Sequence, residues 1–241
     1  MKVLIACEES QTICKAFRKL GHEAYSCDLQ NCSGNHPEWH VCGDCLPLIN
    51  GNCEFTTMGG VHVSIPGQWD LLIAHPPCTY LSGVTTRHLS LRMNPAEKII
   101  ERMWKLAEAA IFFMRFALAR CDHIVIENPT GFMSRLFRKP DQIIHPYYFA
   151  KDEMDIQNYQ KKRTALWLIG VKPLERTNNL KPPEPYGYTV SGKAKNFEEM
   201  GGKIPGIQCS NNRAIARSKT FPGVAEAMAV QWSEMLEKEK Q

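Results

Sequence analysis

Residues 2–28 read KVLIACEESQTICKAFRKLGHEAYSCD, and three patterns follow one another in them. The run from Lys2 to Ala6 is apolar without alternation, the mark of a strand buried on both faces. Polar residues from Cys7 to Gln11 interrupt it, and Ile13, Phe17 and Leu20 then recur at helical spacing until Gly21 ends the pattern. His22 to Asp28 supplies a second strand that closes on a carboxylate. This stretch therefore predicts one strand, helix and strand of a parallel sheet, with polar side chains at the strands' C-terminal ends, where open parallel sheets bind ligands.

The rest of the chain extends that unit. Residues 29–68 are rich in Gly, Pro, Asn and Cys and predict loops with short elements around GDCLPL (43–48). WDLLIAH (69–75) is a further buried strand, followed by Pro76-Pro77-Cys78. From Pro95 to about Ala119, Ile99, Met103, Leu106, Ala110, Phe113 and Phe116 fall at helical spacing, and Trp104, Phe112, Phe113 and Phe116 are expected in the core. DHIVIEN (122–128) is another strand, ending in Glu127-Asn128-Pro129, and TALWLIG (164–170) a late one. From Val171 to Lys219 Pro, Gly, Asn and Lys dominate, which predicts a loop-built insert. A final helix from about Gly223 to Lys238 presents Val224, Ala227, Met228, Ala229, Trp232 and Leu236 on its apolar side. The expected class is α/β, a Rossmann-like alternation with a small loop-rich insert.

Composition narrows the function classes. With 241 residues, 44% hydrophobic and 22% charged, the chain is no disordered polymer and forms one large domain or one with a small appendage. No apolar run approaches the roughly 18 residues of a membrane span, and acidic residues follow MKVLIAC at once, so a soluble, cytoplasmic protein with no membrane partner is expected. Ten cysteines without a secretory signal suggest reduced thiols, metal ligands or a nucleophile. Cys27, Cys32, His36, His40, Cys42 and Cys45 include a Cys-x2-Cys spacing, but Cys27 falls inside a predicted strand, and no metal is expected. Net charge is +4, yet residues 161–219 carry twelve Lys/Arg against four acidic residues. Such a segment suits a phosphate backbone or a solvated loop.

Two strand ends carry the chemistry, one with a cysteine after two prolines and one with a carboxylate beside an amide. A cytosine ring is a poor nucleophile at C5. A thiolate added to C6 makes C5 enamine-like, and an acid at N3 stabilises the adduct. Cys78 and Glu127 are of the right types, the prolines stiffen the turn that aims the thiol, and Asn128 helps to fix its loop. Amino-group methylation is a competing class, with Asp, Asn or Ser before Pro-Pro and an aromatic residue after. His75 and Cys78 hold those places here, and a neutral histidine does not readily accept two amine hydrogen bonds.

The stretches IAHPPCTYLS (73–82) and IVIENP (124–129) resemble the catalytic Pro-Cys and Glu-Asn-Val motifs of the DNA cytosine-5 methyltransferases, in order and spacing. Asp28 is similar to that family's acidic ribose ligand, Gly43-Asp44-Cys45 to its adenine-facing segment, KKRTALWLIG (161–170) to its arginine-bearing motif and TFPGVAEAMA (220–229) to its closing helix. The match is best with short phage or prophage members. The resemblance implies a Rossmann-like S-adenosylmethionine-dependent methyltransferase fold, with a catalytic core at 1–170, a target-recognition insert at 171–217 and a C-terminal helix at 218–241 that returns to the core. It implies methyl transfer to C5 of cytosine in DNA, the base being flipped from the duplex, in a bacterium or phage-infected host cell.

Carried onto this sequence, the resemblance makes Cys78, Glu127 and Arg163 catalytic. S-adenosyl-L-methionine is expected against Ala6, Cys7, Glu8, Ser10, Gln11, Thr12, Asp28, Leu29, Asp44, Cys45, Pro76 and Thr220. The substrate is expected against Pro77, Ser82, Asn128, Lys162, Lys193 and Lys195, with Lys181, Lys203, Arg213 and Arg217 also facing phosphates. The chain departs from the family in three places: no glycine stands between Ala6 and Thr12, Ala165 replaces the second arginine, and Ser218-Lys219 replaces Gly-Asn. Modification of a free cytosine nucleotide, and a binding relative without turnover, therefore stay open.

Overall fold

Strand β1 (Lys2–Ala6) sorts its side chains in two directions: Val3 and Ile5 enter one hydrophobic core, Leu4 and Ala6 another, and all four are fully buried. Alternate residues of a strand must point to opposite faces, so β1 is a central strand packed on both sides. The computed structural model describes residues 1–83, 87–197 and 219–240. After β1 come β2 (Glu23–Asp28), β3 (His40–Cys42), an antiparallel hairpin of β4 (Cys53–Thr56) and β5 (His62–Ile65), then β6 (Leu71–Ala74), β7 (Ile124–Asn128), β8 (Gln142–Ile144) and β9 (Thr164–Ile169). Seven of these form one sheet in the order β3-β2-β1-β6-β7-β9-β8. The first five run parallel, and β9 lies antiparallel to both of its neighbours. The protein is thus mixed α/β with a mostly parallel central sheet, as a Rossmann-like fold requires.

Helices cover both faces of that sheet. On the Val3 and Ile5 side lie α1 (Thr12–Lys19), with Ile13 and Phe17 buried, and the C-terminal helix, with Met228 and Trp232 buried. On the Leu4 and Ala6 side lies α2 (Ala96–Ala117), whose Phe113 packs edge-on against Trp167 of β9. The β4–β5 hairpin adds Phe55, Val63 and Ile65 to the same side. A short helix α3 (Met133–Leu136) follows β7, and the C-terminal helix, α4, spans Pro222–Glu239. Gly21, at φ +84, takes the left-handed turn that stops α1, a conformation that costs a side chain dearly. Among the described residues no helix is long and apolar enough to cross a membrane.

Several expectations shift in detail. The strand in the 29–68 region falls on His40–Cys42, just before GDCLPL, and the hairpin beyond it carries no strong period in sequence. Trp104 is not core: it is 69% exposed, as are Met103 and Ile100 to a lesser degree. The buried residues of α2 run from Leu106 to Phe116, so the apolar spacing of its N-terminal half continues where no described residue buries it. Residues 171–197 contain no helix or named strand, only an isolated bridge between Tyr188 and Ala194. Lys203, Arg213 and Arg217 lie outside the described residues.

Candidate active site

The sheet order reverses between β1 and β6: β2 and β3 continue on one side, β7 on the other. Loops leaving the C-terminal ends of β1 and β6 therefore diverge to opposite faces and open a crevice, the standard ligand position in open α/β sheets. Cys7 to Gln11 leave β1 there, and His75 to Cys78 leave β6. Glu127 and Asn128 close β7, the next strand across.

Cross-links hold the β6 and β7 ends together. In their parallel register Ala74 pairs with Ile126, which brings the next residues, His75 and Glu127, side by side. His75 Nδ1 lies 2.9 Å from Glu127 Oε2, with side chains 10% and 17% exposed. Asn128, 2% exposed, donates from Nδ2 to the Pro76 carbonyl at 2.6 Å. Further out, Ser82 bridges Gly131, and the Phe132 N–H donates to the Leu81 carbonyl at 2.8 Å. A Cβ on Gly131 would sit 2.1 Å from the Leu81 carbonyl oxygen, so only glycine allows the loops this approach. Cys78, whose carbonyl accepts from the N–H groups of Leu81 and Ser82, is exposed at the mouth of this clamp.

Cys78 is exposed where Cys14, Cys27, Cys45 and Cys121 are buried; Cys42 is exposed too, but at the end of the edge strand β3. Cys7 is pushed well above the ordinary thiol range by a hydrogen bond with Cys45, then by burial and by the neighbouring Cys45, Asp28 and Cys27. Cys14 and Cys27 are also pushed up, chiefly by burial, and Cys121 to about 11. These are packed, protonated thiols, poor nucleophiles by both access and charge.

Charge around Glu127 opposes its burial. Burial alone would raise its carboxyl, but the hydrogen bond from His75, the His75 charge and the Lys162 ammonium outweigh it and hold the carboxyl below the usual glutamate range. In the Lys161-Lys162-Arg163 run it is thus half-buried Lys162 that faces Glu127. Arg163 is exposed and faces His145, which together with Lys161 and, above all, burial it pushes down. Lys162 also lies over the rings of Phe197 and Phe221.

The β1 loop does without glycine by straining other residues. Cys7 and Gln11 adopt φ 61 and 56, the left-handed conformation glycine favours. Glu8, 4% exposed, accepts from the N–H groups of Ile13 (2.6 Å) and Cys14 (3.2 Å) and so caps α1, while burial raises its carboxyl despite the nearby His75 charge. Gln11 is fully buried and exchanges two hydrogen bonds with the His36 backbone, and Ser10 pairs with Thr12. The side chains of Glu8, Ser10, Gln11 and Thr12 thus serve the loop itself. Asp28 caps its own turn at Gln30 N–H and lies near Cys7, and Leu29 beside it is 77% exposed. Asp44 caps Leu46 N–H, and Cys45 is buried beneath. Half-buried Thr220 precedes α4, and its neighbour Lys219 reaches Ser33 and Glu9, bringing the closing segment back to this rim.

Among the described residues no three His, Cys, Asp or Glu side chains converge as metal ligands. His40 spends both ring nitrogens on Ser26 and the Gln30 carbonyl, and His36 pairs with Glu38 and stacks on Trp39. Lys193 stands in the turn closed by the Tyr188–Ala194 bridge and Lys195 just beyond it, its backbone bonded to Gly187 and Tyr186; Lys193 and Lys181 are exposed. Reading the sequence by motif missed His75 as a partner of Glu127; its place at a strand end is visible, its register with β7 is not. In comparison with known proteins, no family model matches the chain and no curated protein matches it significantly.

Proposed function

We propose that the protein methylates C5 of cytosine in DNA with S-adenosylmethionine, using Cys78 as nucleophile and Glu127 as the group that engages N3. The observation that carries this reading is the clamp itself: an exposed thiol at the end of β6, cross-tied to a charge-tuned carboxylate at the end of β7. The mostly parallel central sheet is also compatible with the Rossmann-like architecture that this reading needs.

The crevice beside β1 has donors and acceptors that fit the cofactor. In this reading Asp28 at the end of β2 would accept from ribose hydroxyls, Asp44 from an exocyclic amine, and Leu29, 77% exposed, would cover a purine face. Cys7 takes the left-handed conformation that glycine favours, so the β1 loop turns without one. When bound, the cofactor supplies an electrophilic methyl group.

Cys78 Sγ forms a bond to C6. The C5=C6 pair shifts toward C4, the C4=N3 pair moves onto N3, and N3 takes up a proton, which leaves C5 nucleophilic. Once C5 carries the methyl group, its proton passes to water, the C5=C6 bond re-forms as the thiolate is expelled, and N3 gives back the proton it took, which ends the cycle with the cysteine free. A cytosine in duplex must leave the stack first, at a cost of a few kcal/mol that backbone contacts offset. Lys162, Lys193 and Lys195 would make such contacts in this reading, with Arg163 exposed beside Lys162.

Incubation with methyl-labelled cofactor and either plasmid or dCMP tests the proposal. Label in the plasmid, abolished by Cys78→Ser, supports it. Label confined to dCMP replaces the polymer by a free nucleotide, and binding of cofactor or DNA with no transfer leaves a binding protein.

A further inference from the structure

We infer that His75 is a positioning residue for this reaction: it fixes one oxygen of Glu127 and shares a proton with it, so that the other oxygen meets the cytosine edge correctly protonated. This rests on the function proposed above. The Pro-Pro-Cys chemistry alone has no use for a histidine three residues before the nucleophile.

Geometry carries the argument. The β6–β7 register puts the two residues level, and Nδ1 to Oε2 is 2.9 Å between side chains that are 10% and 17% exposed. His40, by contrast, engages both ring nitrogens, with Ser26 and the Gln30 carbonyl. His75 instead leaves Nε2 buried without a hydrogen-bond partner among the described residues. An unpaired buried nitrogen costs stability and calls for a reason. Charged groups face the pair from each neighbouring element: Glu8 from the β1 loop, Glu127 from β7 and Lys162 from the approach to β9.

The proton balance explains the need. When Sγ bonds to C6, N3 must gain a proton, yet Glu127 is held toward its ionised form in the free protein. The Glu127–His75 pair together supplies that proton and ends the step one proton poorer. It recovers the proton when N3 gives it up on expulsion of the thiolate.

His75→Asn and His75→Ala separate proton sharing from support. An asparagine amide occupies nearly the place of Nδ1–H, keeping the hydrogen bond and losing the ionisable proton. Labelled transfer to cytosine DNA, followed across pH, is expected to show kcat reduced roughly 100-fold or more in both variants, with KM for the cofactor little changed and the pH profile altered. In the free protein, carboxyl NMR assigned with Glu127→Gln is expected to show Glu127 titrating at least about one pH unit higher in His75→Ala. Parental kcat and pH profile in His75→Asn, or an unmoved Glu127 titration in His75→Ala, overturns the inference and leaves the proposed function standing. Failure of the parent to methylate cytosine overturns both.

Discussion

Replacing Gly131 by alanine tests the clamp that joins the two site loops. The added Cβ would lie 2.1 Å from the Leu81 oxygen and 3.1 Å from both the Leu81 carbon and the Ser82 Cα. Carbon and oxygen atoms in ordinary contact sit roughly 3.5 Å apart, so the Leu81–Ser82 segment must retreat by more than about 1 Å. That breaks the 2.8 Å bond from Phe132 N–H to Leu81, a loss of about 1 kcal/mol. Overpacking of backbone against a new methyl adds about 1–3 kcal/mol, for a total near 2–4 kcal/mol. Because Leu81 and Ser82 are tied to the Cys78 carbonyl, the thiol moves with them, and a shift of about 1 Å in a reacting group costs on the order of 100-fold in rate. Urea unfolding followed by fluorescence reads the first effect, and turnover with labelled cofactor the second. An unchanged urea midpoint would refute the packing argument, whatever the activity. A lowered midpoint with parental turnover would refute the coupling of the clamp to Cys78.

Asp28→Ala is expected to weaken cofactor binding by about 2–4 kcal/mol in calorimetry, through loss of bonds to a charged acceptor; parental affinity would remove Asp28 from the pocket. Burial raises the Glu8 carboxyl in the folded protein, so its contribution to stability is full below the ordinary glutamate value and is lost as pH rises through the raised one. Denaturation at several pH values should therefore show the parent losing more stability with rising pH than Glu8→Gln does, and parallel curves would contradict this. Neutralising Lys193 and Lys195 together should flatten the log–log salt dependence of DNA binding by roughly 2 if each neutralises one phosphate, and an unchanged slope with full affinity makes them solvated loop lysines.

Sequence by itself determined the strand, helix and strand opening, the strand ends at Cys78 and Glu127 and the buried stripe of the last helix, because each is written in local periodicity. An unbroken apolar run at Val3 to Ala6 can satisfy its side chains only between two packed layers, and Val224 to Leu236 recur at helical spacing. The hairpin of β4 and β5 was not legible, since its strands are four residues each and half exposed, too short to stand out among the Gly, Pro and Asn around them. Trp104 misled for the opposite reason: helical spacing reports which residues share a face, but whether the sheet extends beneath that face depends on where α2 lies across it. The same holds at the site. That Glu8 caps α1, that Lys162 and not Arg163 faces Glu127, and that Cys7 and Gln11 take glycine's conformation are all consequences of how the chain is held elsewhere. The His75–Glu127 pair is the clearest case: fifty-two residues separate the two. Only the register of two parallel strands, set by packing along their whole length, decides that one side chain stands beside the other.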